Sequence, residues 1–133
     1  MGVTRISHVL VLSDDIDGAR DFYQRTLGLE PGERPPLPFP GYWMYAGADP
    51  CIHIADRAIY RQQAARMGLP LPATDRGPHL VDHIAFVDTD YAVASARLER
   101  EGVEAVHNEV AGIGLRQLFF QDPEGVRIEV NVP

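Results

Sequence analysis

Three histidines and one glutamate carry the clearest chemical signal in this sequence. His8, His53, His83 and Glu129 each sit in a short apolar segment. His8 and His83 are 75 residues apart, and His53 and Glu129 are 76 residues apart. Imidazole and carboxylate groups that converge on one point suit zinc, nickel, manganese or ferrous iron. A lone histidine in a strand is usually structural. The near-constant offset between these residues indicates instead that the chain contains two copies of a repeated unit.

The elements that position these residues are predicted strands, seen best near the end of the chain. Residues 114–132 form two β patterns joined by the turn 122–125, where proline second and glycine fourth fit a type I turn. The last strand alternates, so Ile128 and Val130 face one side while Glu129 and Asn131 face the other. The Glu129 side chain therefore projects from the polar face of this last strand.

Both copies of the repeat predict one strand, one helix and then three strands. In the first copy we expect a strand at 5–12, a helix that ends at Gly28, and strands at 42–46 and 50–56. In the second we expect a strand at 80–87, a helix capped by Thr89 or Asp90 and ended by Gly102, a strand at 104–107 and the closing hairpin. Phe22 and Tyr23 have helical spacing and are predicted to be core residues.

Two proline-rich segments connect the predicted elements. The first, residues 28–43, is a surface connector or a wall of the active site, and Phe39, Tyr42 and Trp43 favour the wall. A short helical pattern at 57–67 precedes the second segment, 69–78, which links the two copies.

Composition excludes several functional classes. The 133 residues are 45% hydrophobic, which fits one domain, and the net charge of −7 argues against nucleic-acid or anionic-membrane partners. No apolar run is long enough for a membrane helix, and no secretion leader is recognisable. Cys51 is the single cysteine, which predicts a reducing cytoplasm. All twelve basic residues are arginine, so Schiff-base chemistry on lysine is excluded.

Strand alternation predicts that the four candidate residues share an inner sheet face. If the bulkier apolar faces receive the helices, His8, His53, His83 and Glu129 all lie on the opposite face. His79 and His83 have the spacing of a helical zinc motif, but the flanking pattern is β, where such residues lie about 13 Å apart. His107 follows a polar pattern and is interpreted as a solvated histidine.

Four segments together resemble the vicinal oxygen chelate superfamily, which includes glyoxalases, extradiol dioxygenases and bleomycin-binding proteins. They are ISHVLVLSDDIDGARDFYQRTLGLE, CIHIAD, VDHIAF and QLFFQDPEGVRIEV. The resemblance implies an α+β fold in which two βαβββ modules form a cupped mixed sheet around one divalent metal ion. It implies a single domain, 1–133, with module 1 at about 4–56, a linker at 57–79 and module 2 at 80–132. The implied metal ligands are His8, His83 and Glu129, with His53 at the fourth position.

The resemblance divides between two enzyme classes. Glyoxalases carry a glutamate where this chain has His53, and an arginine for glutathione at the position of Leu12. Extradiol dioxygenases match better at His53, where their acid-base histidine lies, but carry a tyrosine at the position of Phe119. In both classes the ion chelates two adjacent substrate oxygens and stabilises developing negative charge.

We therefore expect a divalent-metal-dependent enzyme with glyoxalase-like lyase or isomerase chemistry on a small molecule other than the glutathione hemithioacetal. The alternatives are an Fe(II) extradiol-type dioxygenase and a non-catalytic ligand- or drug-sequestering protein. His53 and Glu129 are the predicted catalytic residues, and the ion is Zn, Ni, Co, Mn or Fe(II). A homodimer is expected, with each site in one chain or shared by two. The predicted substrate contacts are Trp43, Tyr45, Arg57, Arg116 and Phe119.

Overall fold

The computed structural model describes residue 2 and residues 6–69, 83–110 and 112–133. His79 and the first residues of the strand predicted at 80–87 lie outside this part. The described elements are, in chain order, β1 (Val9–Ser13), α1 (Ile16–Leu27), β2 (Glu30–Gly32), β3 (Gly41–Ala46), β4 (Asp49–Asp56), α2 (Arg57–Arg66), β5 (His83–Val87), α3 (Tyr91–Arg100), β6 (Val106–Val110), β7 (Leu115–Gln121) and β8 (Arg127–Val132).

The strands form two four-stranded sheets with the same topology. The first sheet has the order β1-β4-β3-β2, and the second has the order β5-β8-β7-β6. Strand β1 pairs with β4 in parallel, and β5 pairs with β8 in parallel. All other neighbouring strands in the two sheets are antiparallel. The two mixed sheets confirm the predicted α+β fold of paired βαβββ modules. The chain divides into two compact units, one with β1 to β4, α2 and most of α1, and one with β5 to β8 and α3.

In the first unit, local sequence signals set the limits of α1. The Asp15 carboxylate accepts a hydrogen bond from the Gly18 N–H at the first turn. Gly28 ends the helix with a φ of 69°, a left-handed conformation that glycine adopts without a steric penalty. Phe22 and Tyr23 are buried, which confirms their prediction as core residues.

Alternation along β3 and β4 separates an apolar face from a face that carries the candidate residues. Met44, Ile52 and Ile54 are buried on one side. The Tyr42 side chain lies on the same side of the sheet as Met44. Its hydroxyl donates a hydrogen bond to the Asp17 carboxylate and accepts one from Arg20, both residues of α1. Trp43 and His53 lie on the other side, partly accessible to solvent.

The second unit repeats this separation. Leu118 and Ile128 are fully buried on one face of β7 and β8, while Glu129 alternates to the other. The Asp90 carboxylate caps α3 by accepting from the Val93 N–H. A turn at 122–125 is confirmed by the hydrogen bond from the Gly125 N–H to the Asp122 carbonyl, 3.0 Å.

The largest differences from the predicted elements concern three strands. In the first strand, expected at 5–12, residue 5 lies outside the described residues, residues 6–8 are not paired, and regular pairing begins at Val9. The strand expected at 104–107 runs from Val106 to Val110. The third strand expected after the helix of the first copy is β2, whose position in the proline-rich segment the sequence did not indicate; among the described strands, its exposed residues pair with β3. Edge pairing of this kind is imposed by the neighbouring strand and leaves little local signal. Within the described residues, no helix is long and apolar enough to cross a membrane.

Candidate functional site

His53 is held at the centre of the first sheet. In the parallel pairing of β1 with β4 it lies opposite Leu10, and in the antiparallel pairing of β3 with β4 it lies opposite Trp43. Because its neighbours Ile52 and Ile54 are buried on the other face, the imidazole has only one side on which to project. The strand pattern therefore determines the direction of His53.

Three aromatic rings are stacked on this face. The His53 ring lies 3.7 Å from the His8 ring at an interplanar angle of 12°, and 4.1 Å from the Trp43 ring at 8°. His8 immediately precedes β1, and its Nδ1 lies 3.0 Å from the Ser7 hydroxyl oxygen. The structure thus brings His8 and His53 together, as the sequence predicted, and places Trp43 against them.

His53 has the electrostatic properties of a ligand that binds metal. Burial, followed by the proximity of His8, lowers the pKa of His53 from 6.5 to about 4, while interaction with Pro50 acts in the opposite direction. The imidazole is therefore neutral at pH 7, the form that donates a lone pair. Among the described side chains, its Nε2 is buried without a hydrogen-bond partner. An ion bound there would satisfy this atom, so the residues fit a metal.

The second sheet carries the other two predicted ligands. Nε2 of His83 lies 3.8 Å from Oε2 of Glu129, and the Glu129 side chain is 13% exposed. Two amides orient this carboxylate: Gln117 Nε2 donates to Oε1 and Asn131 Nδ2 donates to Oε2, each at 3.2 Å. Gln117 also donates to the Asn131 amide oxygen at 3.0 Å. Glu129 is thus fixed in a polar network.

The two units place their candidate residues at equivalent points of the pairing. His53 is paired with Leu10 and Trp43, and Glu129 is paired in the same way with Ala85 and Phe119. Trp43 and Phe119, both predicted substrate contacts, therefore occupy matching positions. The repeat inferred from residue spacing extends to the strand register.

The four predicted ligands are found as two pairs, one in each unit. His8 lies with His53, and His83 lies with Glu129. Within the part of the chain that the structure describes, no three histidine, cysteine, aspartate or glutamate side chains form a metal-binding group. The donor types suit zinc, nickel, cobalt, manganese or ferrous iron.

A cleft of about 440 Å³ opens beside Trp43 in the first unit. The proline-rich segment forms part of its wall, and Tyr45 ties that segment to the sheet because its hydroxyl donates to the Glu33 carbonyl at 2.6 Å. Phe39 instead contacts Tyr60 of α2, with ring centroids 5.1 Å apart. The residues that line the cleft are Glu33, Arg34, Pro35, Trp43 and Tyr45.

The two arginines predicted as substrate anchors have partners within their own units. Arg57 donates to the Asp14 carboxylate at 3.0 Å and to the Leu12 carbonyl at 3.3 Å. Arg116 lies on the face of β7 opposite to Phe119, with its guanidinium 4.3 Å from the centre of the Tyr91 ring. The structure does not bring Arg116 to Glu129.

Three polar residues of these sites were not among the predicted site residues. Gln117 and Asn131 share the face of Glu129, so strand alternation together with the hairpin register could have indicated them. Arg34 lies in the proline-rich segment, where no periodicity indicates a direction. His107, predicted to be solvated, is hydrogen-bonded through Nδ1 to the Tyr91 hydroxyl.

Comparison with known proteins is consistent with this geometry. Residues 5–130 match the family model of the Glyoxalase/Bleomycin resistance protein/Dioxygenase superfamily. The chain belongs to this superfamily. Among curated proteins, the chain is 34% identical over 131 residues to "Glyoxylase I 4" of Arabidopsis thaliana, covering 96% of this chain and 70% of that protein.

Solved structures show the same superfamily fold. Lactoylglutathione lyase from Agrobacterium tumefaciens superposes with a TM-score of 0.68 at 22% identity, covering 99% of this chain and 96% of that one. A glyoxalase family protein from Bacillus anthracis superposes with a TM-score of 0.71 at 24% identity, covering 98% and 95%. These identities are low, so the two structures support the fold.

Proposed function

We propose that this chain is a divalent-metal-dependent enzyme that acts on a small molecule with adjacent oxygens, with glyoxalase-like lyase or isomerase chemistry. The observation that carries the proposal is the buried Nε2 of His53, which is neutral and lacks a hydrogen-bond partner among the described residues, beside the ring of His8. The similarity to "Glyoxylase I 4" supports the reaction class. We further propose a cytoplasmic protein.

The proposed ligands are His8, His53, His83 and Glu129, supplied by one chain or by two copies in a homodimer. A bound ion would polarise both substrate oxygens and stabilise negative charge on them. Gln117 and Asn131 keep the Glu129 carboxylate oriented, which favours one productive geometry over several rotamers.

Proton transfer in this proposal falls to His53 and Glu129. His53 is either the fourth ligand or the proton acceptor, because Nε2 cannot bind an ion and take a proton at the same time; where it does not bind the ion, the neutral imidazole accepts the proton at Nε2. Glu129 accepts a proton at Oε2, the oxygen nearer to His83. Trp43 and Phe119 are the strand partners of these two residues, so each would form an apolar wall beside its proton acceptor.

Elemental analysis of untagged protein purified without chelators tests the metal. We expect one equivalent of zinc, nickel or cobalt per site and its loss in Glu129→Ala. Glu109→Ala is the matched control, because Glu109 is an exposed carboxylate of β6 in the same unit. If the wild-type protein binds no divalent ion even after reconstitution, the catalytic proposal is wrong and a ligand-sequestering protein remains.

An Fe(II) extradiol-type dioxygenase is the second candidate. The observation that favours it is His53, a neutral histidine whose Nε2 has no hydrogen-bond partner among the described residues. It is present in addition to the two histidines and one carboxylate of His8, His83 and Glu129. In this reaction His53 would remove a catechol proton instead of binding the ion. One equivalent of iron, with oxygen consumption on catechols that His53→Ala abolishes, would establish this candidate and exclude the first.

A mixing experiment tests the homodimer with shared sites. Chains carrying His8→Ala and chains carrying Glu129→Ala are unfolded, mixed and refolded together. If each ion is held by two chains, mixed dimers regain one complete ligand set and bind metal. If each ion is held within one chain, no mixture binds it. Sedimentation of the wild-type protein reports whether the dimer exists.

A further inference from the structure

Arg34 is a half-buried cation in the wall of the cleft beside Trp43. Its Nη2 donates to the Phe39 carbonyl at 2.6 Å, and its guanidinium carbon lies 5.2 Å from the centre of the Phe39 ring. Among the described residues, its Nε is buried without a hydrogen-bond partner. These contacts hold the guanidinium in one orientation before any ligand arrives.

Among the residues that the structure describes, no acidic side chain pairs with this charge. The ion pairs formed among the described residues do not include Arg34. Glu33 lines the same cleft, but its side chain is exposed, and the contact it makes is through its main-chain carbonyl to Tyr45. Burial alone lowers the pKa of Arg34. A partly desolvated cation without a counter-ion is unfavourable, and a bound anion would offset that cost.

Two aromatic residues of the cleft wall connect it to the candidate ligands. Trp43 and Tyr45 line the cleft, and the Trp43 ring also stacks on His53 at 4.1 Å. An anionic group at Arg34 would therefore place the adjoining part of the same molecule against Trp43 and towards His53.

We propose that this cleft binds the carboxylate of the substrate, with Arg34 as its anchor and Trp43 and Tyr45 in contact with a flat apolar group. The substrate class is then a carboxylic acid that carries an aromatic or similarly planar group. A guanidinium matches a carboxylate in shape and charge, and apolar walls favour a planar group beside it. The inference rests on the proposed function, because it takes the bound acid to be the substrate.

The fluorescence of Trp43, the one tryptophan of the chain, reports occupation of the cleft. The protein is freed of metal with a chelator and titrated with benzoate and with benzamide, its uncharged analogue. We expect benzoate to bind about tenfold more tightly than benzamide, as a charge-assisted hydrogen bond predicts. Arg34→Gln should abolish this preference, and Arg66→Gln should preserve it, because Arg66 is an exposed arginine on α2 of the same unit.

Two further variants complete the test. Arg34→Lys replaces Arg34→Gln if that variant does not fold, and Glu33→Gln tests the sign of the charge effect. Circular dichroism shows whether Arg34→Gln is folded. If it is not, Arg34→Lys keeps the charge without the planar fork and should weaken benzoate several-fold. Glu33→Gln removes the carboxylate found among the described residues that line the cleft and should tighten benzoate binding about two- to threefold, since a like charge is lost.

Three results would overturn the inference: equal affinity for benzoate and benzamide, an unchanged preference in Arg34→Gln, or inorganic phosphate competing as well as benzoate. Elemental analysis of Arg34→Gln measures its bound metal and so distinguishes failure of the anion site from failure of the proposed metal-dependent function. If metal is bound but benzoate is not preferred, the anchor is wrong and the metal enzyme stands. If benzoate is preferred but no variant binds metal, the anion site stands without the proposed chemistry.

Discussion

The Trp43 indole lies flat against the His53 imidazole, with ring centroids 4.1 Å apart and planes within 8° of parallel. The two residues are direct partners in the antiparallel pairing of β3 with β4, and His8 covers the opposite face of the His53 ring. Trp43 therefore reports on the charge and ligation of His53, and it separates this ring from solvent on one side.

Metal binding at His53 should change the emission of Trp43. A charged or metal-bound imidazole stacked on an indole withdraws electron density, so titration of metal-free protein with Ni²⁺ or Zn²⁺ is expected to quench the fluorescence. His53→Ala should remove most of the response. His107→Ala is the matched control, because His107 belongs to the second unit and contacts Tyr91. A full response in His53→Ala would show that the ion binds elsewhere.

Replacing Gln117 with leucine should weaken metal binding without unfolding the protein. The Gln117 amide donates to Glu129 and accepts from Asn108 at 2.7 Å, so its loss frees the carboxylate to rotate. Residues that orient metal ligands typically change affinity by about 10- to 100-fold. The measurement is a competition titration against a coloured chelator. Gln121→Leu, at the exposed end of β7, should keep the wild-type affinity.

Truncation of Leu118 should destabilise the second unit far more than truncation of Val106. Leu118 is fully buried, whereas Val106 is 67% exposed in the neighbouring strand. Deletion of a buried leucine side chain to alanine costs about 2–5 kcal/mol, and the surface change should stay within about 0.5 kcal/mol. Urea denaturation followed by circular dichroism gives both values. Similar losses in the two variants would contradict the assigned faces of the sheet.

Stability should decline in alkali partly through Tyr42. The Asp17 carboxylate that accepts its hydroxyl hydrogen bond, followed by burial, raises the pKa of Tyr42 above 10.0. A raised folded pKa stabilises the protein fully below the unfolded pKa, and this contribution is lost as pH rises through the folded value. Tyr42→Phe should therefore show a shallower fall in the free energy of unfolding above pH 10.

The matched control for that titration is Tyr60→Phe, in which a second tyrosine of the same unit loses its hydroxyl. The chain contains no lysine, so lysine ionisation does not contribute to the alkaline profile. An alkaline profile of Tyr42→Phe that coincides with that of the wild type would contradict the raised pKa.

Much of the fold was predictable because it depends on short-range patterns. Alternation in β8 places the Glu129 side chain on the face of the strand opposite to that of Ile128 and Val130, independently of the rest of the chain. Gly28 ends α1 because a left-handed residue is needed there. The near-constant spacing of the four candidate ligands anticipated the matching topology of the two sheets.

The sequence by itself thus determined the elements, their faces and the candidate donors, because periodicity and capping act over a few residues. Only the tertiary structure decided which side chains touch. Strand register sets Trp43 on His53 and Gln117 on Glu129, and register follows from contacts between separate segments. The strand β2 and the orientation of Arg34 depend on β3 and Phe39, which supply partners that no local pattern in the proline-rich segment could reveal.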